Sequence, residues 1–173
     1  PDTAEKGYLQ TMTDEGLALA RSLGAETIDL QRGMREIQRR VLETNRGRKP
    51  EEHQHLHVKD GVHLNDFGEL AMGYALLKGL GAPAEVSSVV IDAATGKSDA
   101  TGCKVSELDL SAEVLAFTRL DEGLPLNLGS LWQLQHGWIP FPDGLNGYRL
   151  TVKNLPAGDY ELTAGGRGLG KAS

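Results

Sequence analysis

The residues best suited to chemistry crowd into one short segment of the chain. Four of the five histidines fall between His53 and His63, and Asp60 lies three residues before the last of them. Imidazole and carboxylate side chains can either bind a divalent metal ion or transfer protons during hydrolysis. The spacing of these residues distinguishes the two chemistries.

The metal interpretation requires ligands that converge on one ion. Metallo-β-lactamase-like hydrolases carry His-x-His-x-Asp-His, whereas here two residues separate His57 from Asp60 and two more separate Asp60 from His63. This spacing disfavours a metal site, which stays open only as an alternative. We expect His53 and His55 to lie in a polar loop, and His57 to face solvent rather than to act as a partner of Asp60.

The acid-base interpretation uses Asp60 and His63 alone. An aspartate three residues before a histidine, on a turn that enters a helix, can place its carboxylate on imidazole Nδ1 and so fix the tautomer. The other ring nitrogen, Nε2, is then available to a serine hydroxyl. Gly61 permits the tight backbone that this requires. The pattern indicates the aspartate-histidine half of a hydrolytic triad, although Asp-x-x-His spacing is common by chance.

Helices should surround this segment. Apolar residues at three- and four-residue steps predict a helix with one buried face over Thr3–Leu23, ended by Gly24. A short strand is predicted at Thr27–Asp29, and helical spacing resumes from Met34. Asp66 should cap the most secure helix, which ends at Gly79. Its partner in a capping box is Glu69, and its apolar stripe comprises Phe67, Leu70, Ala71, Tyr74 and Leu77.

The second half of the chain has the pattern of β structure. Alternation predicts strands at Val86–Asp92 and Val114–Arg119. Tyr148–Lys153 and Tyr160–Thr163 are predicted to pair as one hairpin across a six-residue loop. With Trp132 and Trp138 as its expected core, this part is predicted to form a small β-rich module over residues 86–173. Residues 1–85 are predicted to form the first domain, and no linker-like composition marks the boundary between the two domains.

The segment Asp-Gly-Val-His-Leu-Asn-Asp-Phe-Gly at residues 60–68, followed by an amphipathic helix, resembles the last conserved block of the SGNH (GDSL-type) ester hydrolases. The resemblance implies an α/β fold in which residues 1–85 are the C-terminal portion of a flavodoxin-like three-layer α/β/α domain. It also implies that His63 acts as general base and then acid, that Asp60 orients it, and that no cofactor or metal takes part. Acetyl esters of carbohydrates are the implied substrates, in a secreted or periplasmic bacterial protein.

The chain departs from this family in its nucleophile. The family serine belongs to a Gly-Asp-Ser block near the start of the domain, and the sequence holds no such block. Ser98 follows Gly96 and Lys97 but lacks the second glycine of a nucleophile elbow, so we do not expect it to act as the nucleophile. Asn65 is expected to cap a helix rather than to bind an oxyanion. The sequence therefore predicts part of a longer esterase that is inactive alone.

Composition excludes other classes. The 173 residues carry a formal charge of −6, which disfavours nucleic acid as a partner because phosphate backbones require a basic surface. A single cysteine, Cys103, excludes an intrachain disulfide and is expected to be an inert small hydrophobe. No apolar run is long enough to span a bilayer.

The alternative function is a non-catalytic carbohydrate- or partner-binding protein that uses Trp132 and Trp138, near His136, in the β-rich module.

Overall fold

The computed structural model describes residues 6–111, 113–126 and 138–172. These residues divide into two compact units, a helical unit and a β unit. The helical unit comprises the described residues up to Val86 and those from Pro125 to Gly147, and the β unit comprises the rest. The predicted class, α/β with a β-rich part, is confirmed.

The elements of the helical unit are four helices and a short turn. They are α1 (Tyr8–Ser22), α2 (Leu30–Asn45), a 3₁₀ turn (Pro50–Glu52), α3 (Asp66–Gly79) and α4 (Phe141–Leu145). The helices predicted from hydrophobic spacing are all present, and Gly24 ends α1 in the left-handed conformation at φ 79°. None of the helices in the described part of the chain is long and apolar enough to cross a membrane.

The predicted buried face of α1 is wrong. Leu9 is 62% exposed and Leu23 is 77% exposed, whereas the polar residue Gln10 is buried. Gln10 accepts a hydrogen bond from the Arg35 guanidinium, and Asp14 pairs with Arg32 of α2 at 2.9 Å. The polar face of α1 therefore contacts α2 through this hydrogen bond and this ion pair, and the apolar stripe faces solvent.

The predicted strand at residues 27–29 does not form. A strand needs a neighbouring strand to pair its backbone groups, and the described residues provide none at this position. Asp29 instead caps α2 by accepting from the backbone N–H of Arg32 at 2.9 Å. Ile28 packs against Gly79, where a methyl group on the glycine would lie 2.1 Å from Ile28 Cγ2. This segment therefore packs against the C-terminal end of α3.

The core of the helical unit lies between α2, α3 and the segment that leads into α4. Trp138 is only 2% exposed and meets Phe67 edge to face, with ring centroids 5.2 Å apart. Phe141 makes the same kind of contact with Tyr74. The buried members of this core are Ile37, Val41, Leu56, Ala71, Trp138, Ile139 and Phe141. Trp138 thus packs with the helices and not, as the sequence suggested, in the core of the β-rich module.

The β unit consists of short antiparallel pairs and one three-stranded sheet. Its strands are β1 (Glu85–Asp92), β2 (Ser98–Thr101), β3 (Cys103–Leu110), β4 (Leu115–Asp121), β5 (Gly147–Lys153), β6 (Tyr160–Ala164) and β7 (Arg167–Ala172). The three-stranded sheet has the order β2-β1-β5, while β3 pairs with β4 and β6 pairs with β7. Val89, Ile91 and Cys103 form its buried core.

The predicted hairpin between β5 and β6 is wrong, although both strands exist. β6 pairs instead with β7, with Ala164 opposite Arg167. Gly165 and Gly166 supply the two positive φ angles, 55° and 76°, of a two-residue hairpin turn. This tight local turn closes at less entropic cost than the six-residue loop, and it leaves β5 free to join β1.

A partly buried polar network links three strands of the β unit. The Arg119 guanidinium donates to Asp121 at 2.9 Å, to the hydroxyl of Ser87 at 2.6 Å and to the carbonyl of Arg149 at 3.0 Å. The Ser87 hydroxyl donates in turn to Asp121. Ser87 is fully buried, so its hydroxyl requires these partners.

Candidate functional site

Asp60 and His63 lie in a tight loop of the helical unit. One carboxylate oxygen of Asp60, Oδ1, accepts from the backbone N–H groups of Val62 and His63 at 2.9 and 3.0 Å. The other, Oδ2, lies 2.7 Å from His63 Nδ1. Gly61 adopts φ 71°, which lets the backbone fold back over the carboxylate. The structure therefore brings together the two residues that the sequence singled out.

The backbone on both sides of the loop is paired. His57 and Leu64 form an isolated antiparallel bridge, and the N–H of Val58 donates to the carbonyl of His63 at 3.0 Å. His63 is thus held through its N–H by Asp60 and through its carbonyl by Val58. This pairing restricts the backbone of the histidine while its ring projects from the loop.

The His63 ring is accessible. Its side chain is 79% exposed and that of Asp60 is 48% exposed. When Nδ1–H donates to Asp60, neutral imidazole carries its lone pair on Nε2. No hydrogen bond to Nε2 occurs within the described residues. The pair can therefore accept a proton from a group outside them, which is what a general base must do.

Hydrogen bonding holds the pKa of the Asp60 carboxyl below its ordinary value. The largest cause is the hydrogen bond with the His63 side chain, followed by the backbone N–H groups of Val62 and His63, with a smaller attraction from His57. Asp60 therefore remains ionised at neutral pH.

These contacts predict how the Asp60 carboxyl titrates. We expect its carbon NMR resonance to titrate below the ordinary aspartate range, and its pKa to rise in His63→Ala because the largest stabilising contact is lost. Since the pKa is lower in the folded state, the unfolded chain binds the proton first as the pH falls. The contact stabilises the fold fully above the ordinary aspartate pKa, and this stabilisation is lost as the pH falls from there through the lowered pKa of the folded state. A pKa unchanged by His63→Ala would contradict the hydrogen bond.

Asn65, and not Asp66, caps α3. The side-chain oxygen of Asn65 accepts from the N–H groups of Phe67 and Gly68, both at 3.0 Å. The capping role expected for Asn65 is confirmed, whereas the predicted capping box of Asp66 with Glu69 is wrong because Asp66 is already the first helical residue. The dyad loop, defined as residues 57–63, thus ends two residues before a capped helix.

His53, His55 and His57 do not join the pair in a metal site. The His53 ring contacts the Arg48 carbonyl at 3.2 Å, and His55 is exposed with its ring 6.4 Å from that of His53. Within residues 6–111, 113–126 and 138–172, no three histidine, cysteine, aspartate or glutamate side chains are grouped to hold a metal ion. His57 is partly buried rather than pointing freely to solvent.

The remaining candidates lie elsewhere. Ser98 is exposed at the start of β2 in the β unit, and Cys103 is buried as expected. Trp138 is buried, so its ring has no free face on which a sugar could stack, which removes half of the basis for the carbohydrate-binding alternative. Trp132 and His136 lie outside the described residues.

A cleft of about 390 Å³ lies at the far end of α3 from the dyad loop. Its walls include Ile28, Tyr74, Gly79 and Pro140, with Lys78 at its edge. Neither Asp60 nor His63 lines it. The acid-base pair, whose side chains are exposed, therefore lies outside this cleft.

The comparisons with known proteins support the fold. No protein-family model and no curated protein matches the chain. A solved structure described as a gut microbial diltiazem-metabolizing enzyme is similar, with a TM-score of 0.70 and 21% sequence identity over 95% of this chain. The chain spans only 38% of the length of that protein. At this identity the likeness establishes a shared fold.

Proposed function

We propose that the chain supplies the acid-base half of an ester hydrolase, with His63 as the proton carrier and Asp60 as its orienting carboxylate. The observation that carries the proposal is the 2.7 Å contact between Asp60 Oδ2 and His63 Nδ1 on an exposed loop. A buried or unpaired histidine would lack either access to substrate or a fixed tautomer. The nucleophile is a serine hydroxyl that these 173 residues do not supply.

The proposed reaction is acyl transfer in two stages. His63 Nε2 takes the proton of the serine hydroxyl as its oxygen attacks the ester carbonyl, and Asp60 stabilises the resulting imidazolium without taking the proton. The tetrahedral intermediate collapses as Nε2 returns the proton to the leaving alcohol oxygen. A water molecule, deprotonated by the same nitrogen, then attacks the acyl-serine, and proton return regenerates the serine and releases the carboxylic acid.

The structural neighbour is compatible with this proposal in two ways. That protein is described as an enzyme, and the matched region is 38% of its length, which leaves room for a nucleophile in another part of such a protein. The SGNH type is proposed from the resemblance at residues 60–68, and acetyl esters of carbohydrates are proposed as substrates on the same ground. We propose no metal or organic cofactor, because the serine mechanism needs none.

The first test uses the chain alone. We expect it to hydrolyse para-nitrophenyl acetate no faster than its His63→Ala variant, because no serine hydroxyl of the described residues contacts His63 Nε2. We also expect no labelling by a fluorophosphonate, which reacts with activated serines. His63-dependent turnover by the chain alone would place the nucleophile within these 173 residues. It would refute the proposal that this chain supplies only the acid-base half of the enzyme.

The second test uses a protein in which a serine-bearing segment completes the domain. We expect that protein to hydrolyse the acetate and to be labelled on its serine. Labelling that is unaffected by His63→Ala would show that another base activates the serine. That result would overturn the role proposed for His63.

A further inference from the structure

The segment that precedes the dyad loop is attached to the first turn of α3 by one side chain. While the Asn65 oxygen caps the helix, its amide nitrogen Nδ2 donates to the carbonyl of His55 at 2.8 Å. The backbone N–H of Asn65 also donates to the carbonyl of Leu56 at 3.1 Å. Asn65 thus connects the helix end to residues 55 and 56.

Gly68 allows the same two segments to approach closely. A methyl group built on Gly68 would lie 2.0 Å from the carbonyl oxygen of Leu56 and 2.8 Å from Leu64 Cδ2. The first of these atoms is backbone, so no rotation of a side chain could relieve the overlap. The helix and the Leu56 backbone can keep this spacing only because residue 68 has no side chain.

The two residues touched by Gly68 bracket the dyad loop. Leu56 precedes the loop and is 1% exposed in the core, and Leu64 follows it. Between them the chain is closed by the bridge of His57 with Leu64 and by the bond from Val58 to His63. Because the Leu56 side chain is fixed in the core, a displacement of its backbone must be absorbed by the loop.

We propose that Gly68 and Asn65 are positioning residues for the Asp60–His63 pair, and that they set its orientation by fixing the spacing between residues 55–56 and the first turn of α3. The catalytic consequence of this inference rests on the proposed function, whereas the geometric part does not. Neither residue contacts the reacting atoms. Each acts through the backbone that carries His63.

The test compares two glycines of the same helix. In Gly68→Ala we expect the Nδ1–H proton signal of His63 to weaken or shift and the Asp60 carboxyl to titrate closer to the ordinary aspartate range. Gly73→Ala is the matched control, since a methyl group there would meet no atom within 4 Å. It adds the same methyl group to α3 and should leave both signals unchanged.

A second variant separates orientation from folding. Asn65→Asp keeps an oxygen that caps the helix but replaces the amide donor with a carboxylate that repels the His55 carbonyl. We expect this variant to fold and to show the same changes at Asp60 and His63 as Gly68→Ala. If Gly68→Ala does not fold, Asn65→Asp alone tests whether these residues orient the Asp60–His63 pair.

Two results would overturn the inference. One is a folded Gly68→Ala or Asn65→Asp protein with unchanged Asp60 titration and unchanged His63 signal. The other is an Asn65→Asp protein that fails to fold, because the bond to His55 would then serve stability and not orientation. Both readouts are made on the chain without substrate, so they are independent of whether the proposed esterase activity exists.

In the completed enzyme, Gly68→Ala should lower kcat by about 100-fold, since a misplacement of about 1 Å costs this much. KM should change little, because the substrate contacts themselves are unaltered. A large rise in KM at constant kcat would instead mean that Gly68 contributes to substrate binding.

Discussion

Replacing His63 by alanine should lower the kcat of ester hydrolysis by about 10⁶-fold in the completed enzyme, as removal of the histidine does in a serine hydrolase. Asp60→Asn should cost about 10⁴-fold, because the amide favours the wrong imidazole tautomer but leaves the base in place. The two variants should therefore differ by about 100-fold in residual rate. Steady-state kinetics with para-nitrophenyl acetate measures both effects.

The control for this experiment is His55→Ala. His55 is an exposed histidine of the same segment, and only its backbone carbonyl, which alanine retains, is used by Asn65. Its removal should leave the rate nearly unchanged. Because His63 is itself exposed, His63→Ala should fold normally, so a loss of rate would reflect chemistry. Equal rates in His63→Ala and the parent enzyme would contradict the proposed pair.

The second prediction concerns stability and the core of the helical unit. Trp138→Ala should lower the free energy of unfolding of the helical unit by about 3 to 5 kcal/mol, because it removes a buried indole and leaves a cavity beside Phe67. Urea unfolding followed by helical circular dichroism measures the change. A loss of this size is a large fraction of the stability of an ordinary domain.

Tyr8→Ala provides the comparison, since Tyr8 is an aromatic residue of the same unit that is 81% exposed. It should change the free energy of unfolding by less than about 0.5 kcal/mol. Equal costs for the two variants would mean that Trp138 is not buried in solution. Such a result would restore Trp138 as a residue able to stack on a sugar.

The sequence predicted most of the helices and strands but not which strands pair. Periodicity located α3, β1 and β4 because each repeats its burial along the chain. It also located α1, although the apolar stripe that predicts this helix faces solvent. Strand partners depend instead on competition between turns, and the hairpin of β6 with β7 is decided by Gly165 and Gly166. Both glycines are visible in the sequence, but alternation along the strands does not show which of two possible turns forms. Hydrophobic spacing does not reveal the buried face of α1, because that face contacts α2 through an ion pair and a hydrogen bond.

At the candidate site, the contact of Asp60 with His63 was predictable because it is local. The four residues 60–63, with a glycine at position 61, determine the contact, and a turn of that length has few conformations. The role of Gly68 was not predictable, since the backbone it approaches, at Leu56, lies twelve residues earlier in the chain. A glycine in the first turn of a helix, where most residues would be better helix formers, was the available signal.

The network of Ser87, Arg119 and Asp121 has a consequence for folding accuracy. Along β1 the buried face carries Ser87, Val89 and Ile91, so a slip of two residues would present Val89 to the charged pair. Valine offers no hydroxyl, and the partly buried guanidinium and carboxylate would lose a hydrogen-bonding partner. Apolar residues alone tolerate such a slip, whereas this arrangement penalises it. The network thus favours the native register of β1 over one shifted by two residues.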